Sequence, residues 1–445
     1  MKQTPRSSSG VTTVMRVVVP LQGLLVQGGG SGLVLGSIIP CALFYFFQLY
    51  FKSKNRSENN PTSPPPSSPP ELAEISPPSG GLQRVQSLRS IWSPRGSNGH
   101  ANVSTRAGVM IRQVDGPYYD GLNRAFENPY DELSNSDGII QLGLDENKLS
   151  LDLVQDWLVA HTKCLFVDQE LRINGITNYH PFHGLSELKV AVAGFMSQVM
   201  EGRVLFDPSQ IVLTAGVTPA VEMLAFCLAD PGNAFLVPSP YSPDLDRDIK
   251  WRTGVDIIPV PCRSSDGFSL NTTSLDRAYN QAKKRGLKVQ GVIISNPLNP
   301  VGKLLTRNTL YNILDFAMEK NIHVIANEIL SGPTSNKNQE FFSLAEILDS
   351  QEYDRKRVHV VYGLSKDLCF PGSRVGVVYS CNQNVLEASK KFARFSSISS
   401  LSQRLLVSML NDTAFVGEFI KINRERVRLN SFGVRIQGYD PTKDP

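Results

Sequence analysis

Residues that could carry out chemistry lie where an apolar run of this sequence ends. Ser365 and Lys366 follow the run "RVHVVYG" almost at once, and Arg374 comes eight positions after the lysine. Leucines close to the lysine on both sides favour its partial burial, and a desolvated amine has a lowered pKa and can attack a carbonyl group. The planar guanidinium of Arg374 can hold a phosphate. This stretch therefore indicates a reactive amine close to an anion-binding group.

Two other segments at the ends of apolar runs could hold parts of the same ligand. In "TAGVTPA" (214–220) a glycine turn precedes a helix start, where backbone N–H groups and the Thr218 hydroxyl make an anion site. In "SNPLNPVG" (295–302) two Asn-Pro pairs stiffen the loop, so that Asn296 can be an oriented hydrogen-bond donor. Each signal alone also fits an ordinary turn. Together with Lys366 they predict a phosphate clamp beside an aldehyde-reactive amine, which is what pyridoxal 5′-phosphate requires.

The elements that must position these residues alternate between strand and helix from residue 210 onward. Seven short β-branched runs are typical of strands: "QIVLTAG", "AFLVP", "DIIPVP", "VQGVIIS", "IHVIA", "RVHVVYG" and "RVGVVYS". Most are continuously apolar, which indicates strands buried on both faces. Helical patterns lie between them, including "TPAVEMLAFCLAD", "TRNTLYNILDFAMEK" and "SLDRAYNQAKKRG", the last with Ser274 as N-cap and Gly286 as C-cap. The pattern predicts an α/β fold with a mostly parallel, doubly wound sheet, in which ligands bind beyond the carboxyl ends of the strands.

Composition indicates an ordinary globular protein with more than one folded unit. The chain has 445 residues, of which 41% are hydrophobic and 19% charged. A net charge of +4 gives no reason to expect a nucleic-acid partner. The six cysteines are scattered without a CxxC pair, which fits a reducing compartment. The close pair His180 and His183 has no Cys or acidic cluster beside it, so no metal site is predicted.

The N-terminal hundred residues are a different kind of chain. Residues 1–52 contain no Asp or Glu, and within them residues 33–51 form an uncharged apolar stretch close to the length of a bilayer-spanning helix. Basic residues follow it and would keep the downstream chain in the cytosol. A membrane anchor and an organellar targeting segment both stay open, and the folded part is expected to be cytoplasmic. The Pro- and Ser-rich residues 53–106 predict a disordered linker.

Several segments, in order, resemble the fold-type I pyridoxal-phosphate enzymes. "GLSKDLCFPGSRVG" is similar to their lysine box and "NPLNPVG" to their Asn-Pro box. "PYSPDLDRDIKWRTGV" (240–255) and "GLDENKLSLDLVQDWL" (143–158) resemble the plant 1-aminocyclopropane-1-carboxylate synthase branch, in particular its aminotransferase-like members with a long N-terminal extension. The resemblance covers roughly residues 110–430 and is specific because several boxes occur together.

The resemblance implies a role for each matching residue. Lys366 would bond covalently to the cofactor's aldehyde and later move the α-proton of the substrate. The phosphate would be held by Ser365 and Arg374, the backbone at Val217 and the side chain of Thr218. Asn296 would donate to the 3-oxygen of the ring, and Glu146 matches the family's acid on the substrate side. A homodimer with its active site at the subunit interface is also implied.

The chain departs from the family pattern at several positions. Asn327 stands where the family has an Asp that keeps the ring nitrogen protonated, and Leu330 replaces a Tyr. Gly363 replaces a phosphate-binding Ser, and Phe182 replaces the Tyr that reaches the neighbouring subunit's phosphate. Ser242 stands at the position of the residue expected to stack on the ring, and the adjacent Tyr241 could substitute for it.

These features predict three folded segments and leave three functions open. Residues 107–205 would form an N-terminal arm and part of a small domain, residues 206–390 the large cofactor-binding domain, and residues 391–445 the start of a truncated C-terminal small domain. The first function is an aminotransferase acting on an amino acid and a 2-oxo acid. The second is a catalytically impaired or inactive family member that acts as a dimer partner. The third is the lyase that makes 1-aminocyclopropane-1-carboxylate from S-adenosylmethionine.

Overall fold

The computed structural model describes residues 103–436, except 113–115, 142, 144–145, 168–175, 333–339 and 351–352. Contacts divide the chain into Met1–Asn98 and Gly99–Pro445, and every described residue belongs to the second unit. The apolar stretch 33–51 and nearly all of the predicted linker lie outside the described residues; a helix begins at Thr105, inside the linker's predicted end. In the described part of the chain, no helix combines the length and the apolar character needed to cross a bilayer.

The described residues form one seven-stranded sheet, and each strand coincides with a run predicted from the sequence. The strands are β1 (Ile211–Thr214), β2 (Ala234–Ser239), β3 (Asp256–Pro261), β4 (Val289–Ser295), β5 (His323–Asn327), β6 (Val358–Gly363) and β7 (Gly376–Ser380). Their order is β1-β7-β6-β5-β4-β2-β3. Only β7 runs antiparallel to its neighbours β1 and β6, and the other pairs are parallel. The predicted α/β class with a mostly parallel sheet is confirmed.

Helices connect the strands and cover both faces of the sheet. Among the described residues they are α1 (Thr105–Arg112), α2 (Pro117–Glu127), α3 (Leu151–Val167), α4 (Ser186–Val199), α5 (Val217–Leu228), α6 (Asp244–Thr253), α7 (Thr272–Lys284), α8 (Arg307–Lys320), α9 (Leu344–Ser350), α10 (Leu364–Asp367), α11 (Gln383–Phe392), α12 (Ser400–Asn411) and α13 (Thr413–Ile436). The boundary predicted between 390 and 391 falls inside α11. The division into domains stays a prediction.

The N-terminus of α7 differs from the prediction. Its N-cap is Asn271 rather than Ser274, because the Asn271 side chain accepts a hydrogen bond from the Ser274 backbone N–H at 2.8 Å. Ser274 therefore lies in the first turn of the helix. At the other end the helix ends at Lys284, and its C-cap is Arg285 rather than the predicted Gly286. Gly286 follows with φ 75°, the left-handed conformation typical of a residue just beyond a helix.

Successive strand residues alternate between two apolar clusters, one on each face of the sheet. Along β6, Val360 and Tyr362 belong to the larger cluster, whereas Val361 belongs to the smaller one. Along β5, Val324 and Ile325 divide in the same way. This explains why the strands are continuously apolar in sequence: both faces are covered by helices.

On the face of the larger cluster, helices from distant parts of the chain pack around α4. Gln403 of α12 is almost fully buried; its side-chain oxygen accepts from Leu185 N at 2.8 Å and its amide donates to Ile398 O at 2.9 Å. Trp157 of α3 donates its indole N–H to Asp412, the residue before α13, at 2.9 Å. Polar bonds thus fix helices from both ends of the described chain beside the sheet.

Candidate active site

The predicted reactive lysine lies directly after a strand, as its sequence context indicates. Strand β6 ends at Gly363, and the single helical turn α10 carries Lys366. Leu364 and Leu368 are completely buried, and Lys366 itself is half-buried. Within the turn, Leu368 N donates to Leu364 O at 3.1 Å. The apolar side chains therefore hold the lysine backbone against the core while its own side chain lies between core and surface.

A buried carboxylate fixes one side of this turn, and the sequence analysis did not identify it. Asp367 accepts hydrogen bonds from the Tyr362 hydroxyl at 2.7 Å, the Ser331 hydroxyl at 3.2 Å and Gly332 N at 3.3 Å. Burial raises the pKa of Asp367 to about 6. Because the three donors come from β6 and from the loop after β5, Asp367 joins the lysine turn to both strand ends. Its position beside a candidate lysine was the one available signal.

Residues that are predicted to bind an anion meet where α5 begins. Gly216 precedes this helix with φ 103°, a conformation that favours glycine. A side chain at this position would collide with the Arg374 guanidinium, so Arg374 packs directly against the backbone at the helix N-terminus. Arg374 is exposed and also donates from Nη1 to Pro371 O at 3.3 Å. A guanidinium and the positive end of a helix dipole thus occupy the same place, which favours an anion.

Thr218 and Val217 lie at this helix start, with different surroundings. The exposed Thr218 hydroxyl donates to Asp248 Oδ2 at 3.2 Å. Burial, and then the neighbouring Asp244, raise the pKa of Asp248 to about 6. Val217 packs against Gly363: a Cβ built on Gly363 would lie 2.6 Å from Val217 Cγ2. The helix start and the lysine turn therefore touch, and a valine methyl fills the space beside Gly363.

Asn327 and Asn296 stand at the ends of neighbouring strands. Asn296 N donates to Asn327 O at 3.0 Å. The Asn296 side chain is buried and fastens its own loop: it donates to Phe342 O at 2.9 Å and accepts from Leu305 N at 3.0 Å. The Asn327 side-chain oxygen is buried and has no hydrogen-bond partner among the described residues. Donation by Asn296 to a cofactor stays a prediction, and Asn327 offers an unused acceptor.

Glu328, next to Asn327, is a second buried carboxyl that the sequence analysis missed. It accepts from the Ser343 hydroxyl at 2.6 Å and from Leu344 N, the first residue of α9, at 2.8 Å. Burial raises its pKa to about 7. Glu328 therefore ties the end of β5 to the start of α9.

The remaining residues that were predicted from the sequence are Tyr241, Glu146 and Ser365. The Tyr241 hydroxyl lies 3.4 Å from Asp246 Oδ2, and burial raises the pKa of Tyr241 to about 12. Glu146 forms an ion pair with Lys148 at 3.0 Å. The next residue, Asn147, donates to Lys366 O at 3.3 Å, which brings the segment containing Glu146 to the lysine turn. Ser365 is half-buried within the turn itself.

Phe182 lies near several basic side chains, Arg394, Lys189 and Lys390. It is 40% exposed, and Arg394 lies over its ring at 5.6 Å. Beside it, the Lys189 amine contacts His183 Nδ1 at 2.8 Å. Burial, and then Lys390, lower the pKa of Lys189 to about 8.

Comparisons with known proteins give matches over most of the chain. The sequence profile "Aminotransferase class I and II" matches residues 139–433. "1-aminocyclopropane-1-carboxylate synthase 6" of Oryza sativa subsp. japonica is 53% identical over 436 residues, which cover 96% of this chain and 77% of the relative. "Probable aminotransferase ACS12" of Arabidopsis thaliana is 51% identical over 419 residues, covering 93% and 80%.

Solved structures show the same fold at much lower identity. Aspartate aminotransferase from Thermus thermophilus with maleate superposes with a TM-score of 0.55 at 17% identity, over 73% of this chain and 77% of that one. Alanine aminotransferase from Pyrococcus furiosus has a TM-score of 0.55 at 22% identity, over 72% and 76%. The sheet described above is therefore the fold-type I architecture.

Proposed function

The chain belongs to the class I and II aminotransferase family, whose cofactor is pyridoxal 5′-phosphate, and from that premise we propose that it transfers an amino group between an amino acid and a 2-oxo acid. One observation carries the proposal: the lysine turn touches the N-terminus of α5, against which the Arg374 guanidinium packs. A reactive amine and an anion clamp are the two groups that this chemistry needs.

The residues present fit the cofactor. The pairing of Arg374 with the start of α5 suits a phosphate. The buried Oδ1 of Asn327 has no hydrogen-bond donor within the described part of the chain and suits a ring N–H, because a buried acceptor left without a donor costs about 1–3 kcal/mol. Lys366 supplies the amine. Each of these groups lies at the carboxyl edge of the sheet, where such folds bind ligands.

We assign the other residues by the same reasoning. Ser365, the Val217 backbone and Thr218 help to hold the phosphate, and Asn296 donates to the 3-oxygen through the second N–H of its amide. Tyr241 contacts the ring face in place of Ser242. Glu146 lies on the substrate side, where release from Lys148 would make its carboxylate available.

The bound cofactor supplies an electron sink for the negative charge that develops at the substrate α-carbon. The Lys366 amine takes the α-proton and returns it, and the apolar leucines beside it limit the water that could compete for that proton. Asn327 accepts a hydrogen bond from the ring but brings no negative charge, so its hold on a protonated ring is weaker than that of an aspartate. Slow turnover is the consequence.

Absorption spectroscopy of the loaded protein tests this proposal. Cofactor bound to Lys366 should give a visible absorption band, an amino acid should bleach the band, and a 2-oxo acid should restore it. Lys366→Ala serves as the control that cannot form the covalent bond. A band that never responds to any amino acid would contradict amino transfer.

Two observations favour the alternative of an impaired family member that acts as a dimer partner. Asn327 weakens the ring-nitrogen contact, and the Val217 methyl occupies the place where the family carries a serine side chain. Under this alternative the protein does not turn over substrate, whether or not it binds the cofactor. The spectroscopic experiment distinguishes the two readings, since only the aminotransferase bleaches.

The similarity to a protein named 1-aminocyclopropane-1-carboxylate synthase favours a third function. The same lysine would then remove the α-proton of S-adenosylmethionine. The α-carbon would bond to the γ-carbon as the γ-carbon–sulfur bond breaks, so that the products would be the cyclic amino acid and 5′-methylthioadenosine. Chromatographic detection of that cyclic product after incubation with S-adenosylmethionine would support the lyase. If the product is absent and an amino acid bleaches the absorption band, the aminotransferase is supported instead.

We also propose a homodimer and a cytoplasmic location for the folded part. Family members are generally dimeric, and large apolar side chains are exposed on the described part of the chain, among them Phe182, Phe226 and Phe395. Light scattering of the purified protein measures the subunit number. A fluorescent fusion of the full chain, compared with one lacking residues 1–52, tests for a membrane anchor or an organellar address.

A further inference from the structure

A buried asparagine on α13 reaches the lysine turn. Asn423 is 3% exposed. Its side-chain oxygen accepts from Asn147 Nδ2 at 3.1 Å and from the Ser150 hydroxyl at 3.0 Å. The Cys369 thiol lies 3.6 Å from the same oxygen, and the Asn423 amide donates to Asp367 O at 3.5 Å. One side chain therefore joins α13, the segment before α3 and the end of the lysine turn.

Asn147 extends this network to the lysine itself. Its amide nitrogen, which donates to Asn423, also lies 3.3 Å from Lys366 O. Asn423 and Asn147 together thus contact the backbone carbonyls of both Lys366 and Asp367. On the other side, the Asp367 carboxylate is held by Tyr362 and Ser331.

The turn depends on these long-range bonds because it is short. It contains four residues, and a single helical turn is marginal without tertiary contacts. The direction in which a side chain leaves the backbone follows the backbone position, so bonds to the carbonyls of Lys366 and Asp367 also set where the lysine amine lies.

Two arginines hold α13 without touching the lysine turn. Arg424 pairs with Glu201 at 3.0 Å. Arg426 donates to both carboxylate oxygens of Asp152, with Nη2 at 2.8 Å from Oδ2, and it also donates to Leu149 O at 2.8 Å. Leu149 and Asp152 flank Ser150, so Arg426 also holds the segment that carries two partners of Asn423. The pair between Arg424 and Glu201 lies outside that segment, so Glu201→Gln is the matched control: it weakens a contact of the same helix and removes none of the groups that bond to Asn423.

We propose that Asn423 is a positioning residue for Lys366, so that α13 sets the placement of the reactive amine through Asn147 and Asp367. The proposal rests on the assignment of Lys366 under the proposed function. It extends that function by making a helix of the C-terminal segment part of the lysine's support, although Asn423 itself touches neither cofactor nor substrate.

The test compares Asn423→Ala and Asn147→Ala with Glu201→Gln in the full chain. The first readout needs no cofactor: the rate at which acetic anhydride acylates the Lys366 amine, measured by peptide mapping. The second is the fraction of Lys366 that carries a pyridoxyl tag after incubation with pyridoxal phosphate and borohydride reduction. Thermal unfolding reports how far each variant is destabilised. Asn147 is half-buried, so its variant keeps the test available if Asn423→Ala does not fold.

In both asparagine variants, acetic anhydride should acylate Lys366 about threefold faster, because the turn loosens. The fraction of Lys366 that carries the pyridoxyl tag after a fixed short incubation should be about tenfold lower, because a misplaced amine meets the aldehyde poorly. Glu201→Gln should lower the unfolding temperature slightly while both Lys366 readouts stay at the level of the unmodified chain. Equal Lys366 readouts in all three variants and the unmodified chain would overturn the proposal. If the unmodified chain never acquires the tag, the proposed function fails, and acylation alone then decides the role of Asn423.

Discussion

A methyl group of Val217 occupies the space beside Gly363. An ideally placed Cβ on residue 363 would lie 2.6 Å from Val217 Cγ2 and 3.2 Å from Val375 O. The φ of Gly363 is −164°, which any residue can adopt, so the obstacle to a side chain is steric. The start of α5 and the lysine turn therefore fit together sterically: Val217 fills the space that a serine side chain would need at position 363.

Gly363→Ser alone should therefore weaken the protein. Overpacking of this kind costs about 1–3 kcal/mol of unfolding free energy. In the double variant Val217→Ala, Gly363→Ser the clash is relieved, and the new hydroxyl can donate to a phosphate, which we expect to tighten cofactor binding about tenfold. Urea unfolding and an absorbance titration with pyridoxal phosphate measure the two effects, and Val217→Ala alone is the control. Equal affinity of the single and double variants would show that Val217 does not block this position.

Asn327→Asp should make stability depend more strongly on the cofactor. The Asn327 oxygen is buried without a partner among the described residues, so a carboxylate there would be desolvated and would lower the stability of the cofactor-free protein. With cofactor bound, the carboxylate pairs with the ring N–H, and bleaching by an amino acid should be about tenfold faster or more, the equivalent of one charge-assisted hydrogen bond. The difference in unfolding temperature with and without pyridoxal phosphate measures the first effect. Asn327→Ala, which removes the acceptor, should show a smaller cofactor-dependent shift than the unmodified chain.

The sheet could be predicted from sequence because its signal is local. Each strand, such as "VQGVIIS", is an unbroken apolar run, and that pattern follows directly from burial on both faces. The strand-end rule then selected Lys366, and the structure brings Arg374 to the glycine turn before α5. The N-cap of α7 was missed by three residues, because Asn271 and Ser274 are both good caps and the pattern alone does not rank them.

The supports of the site could not be predicted, because they join residues far apart in the chain. Asn147 meets Asn423, and Tyr362 meets Asp367, only after the layers have packed. Sequence patterns of polar residues carry no period that would reveal such pairs. Burial of the Asp367 carboxyl likewise depends on the surrounding core rather than on its neighbours in sequence.

Tyr362→Phe should destabilise the protein and move its pH dependence. The pKa of Asp367 is raised from 3.8 to about 6, so the folded state binds more protons than the unfolded state between these values, and the stability contribution falls as pH rises through that window. Loss of the 2.7 Å hydrogen bond from Tyr362 should cost about 1–3 kcal/mol at neutral pH and extend the window upward. Urea unfolding at several pH values between 4 and 8 measures both.

Asp367→Asn is the control for that series, because it removes the titrating group. Its unfolding free energy should lose the fall that Asp367 contributes between about pH 4 and pH 6. A pH profile of Tyr362→Phe that runs parallel to that of the unmodified chain at every pH would contradict a coupling between the tyrosine hydroxyl and the carboxyl.

A pair of histidines across β5 and β6 should have the opposite pH effect. His359 is fully buried; its ring nitrogens lie 3.1 Å from His323 Nδ1 and 2.9 Å from the Ser380 hydroxyl. Burial, and then His323, lower the pKa of His359 from 6.5 to about 3. The unfolded state therefore binds more protons between these values, and stability is lost as pH falls from 6.5 toward 3.

His359→Gln should cost about 1–3 kcal/mol at pH 7, because its hydrogen bonds to His323 and Ser380 are imperfectly replaced. Between pH 6.5 and pH 5 the variant should lose less stability than the unmodified chain, because a glutamine does not titrate. Asp367 changes stability in the opposite direction over part of this range, so the profiles are compared in the Asp367→Asn background as well. Equal acid sensitivity of His359→Gln and its parent in both backgrounds would mean that His359 is not the group whose burial opposes protonation.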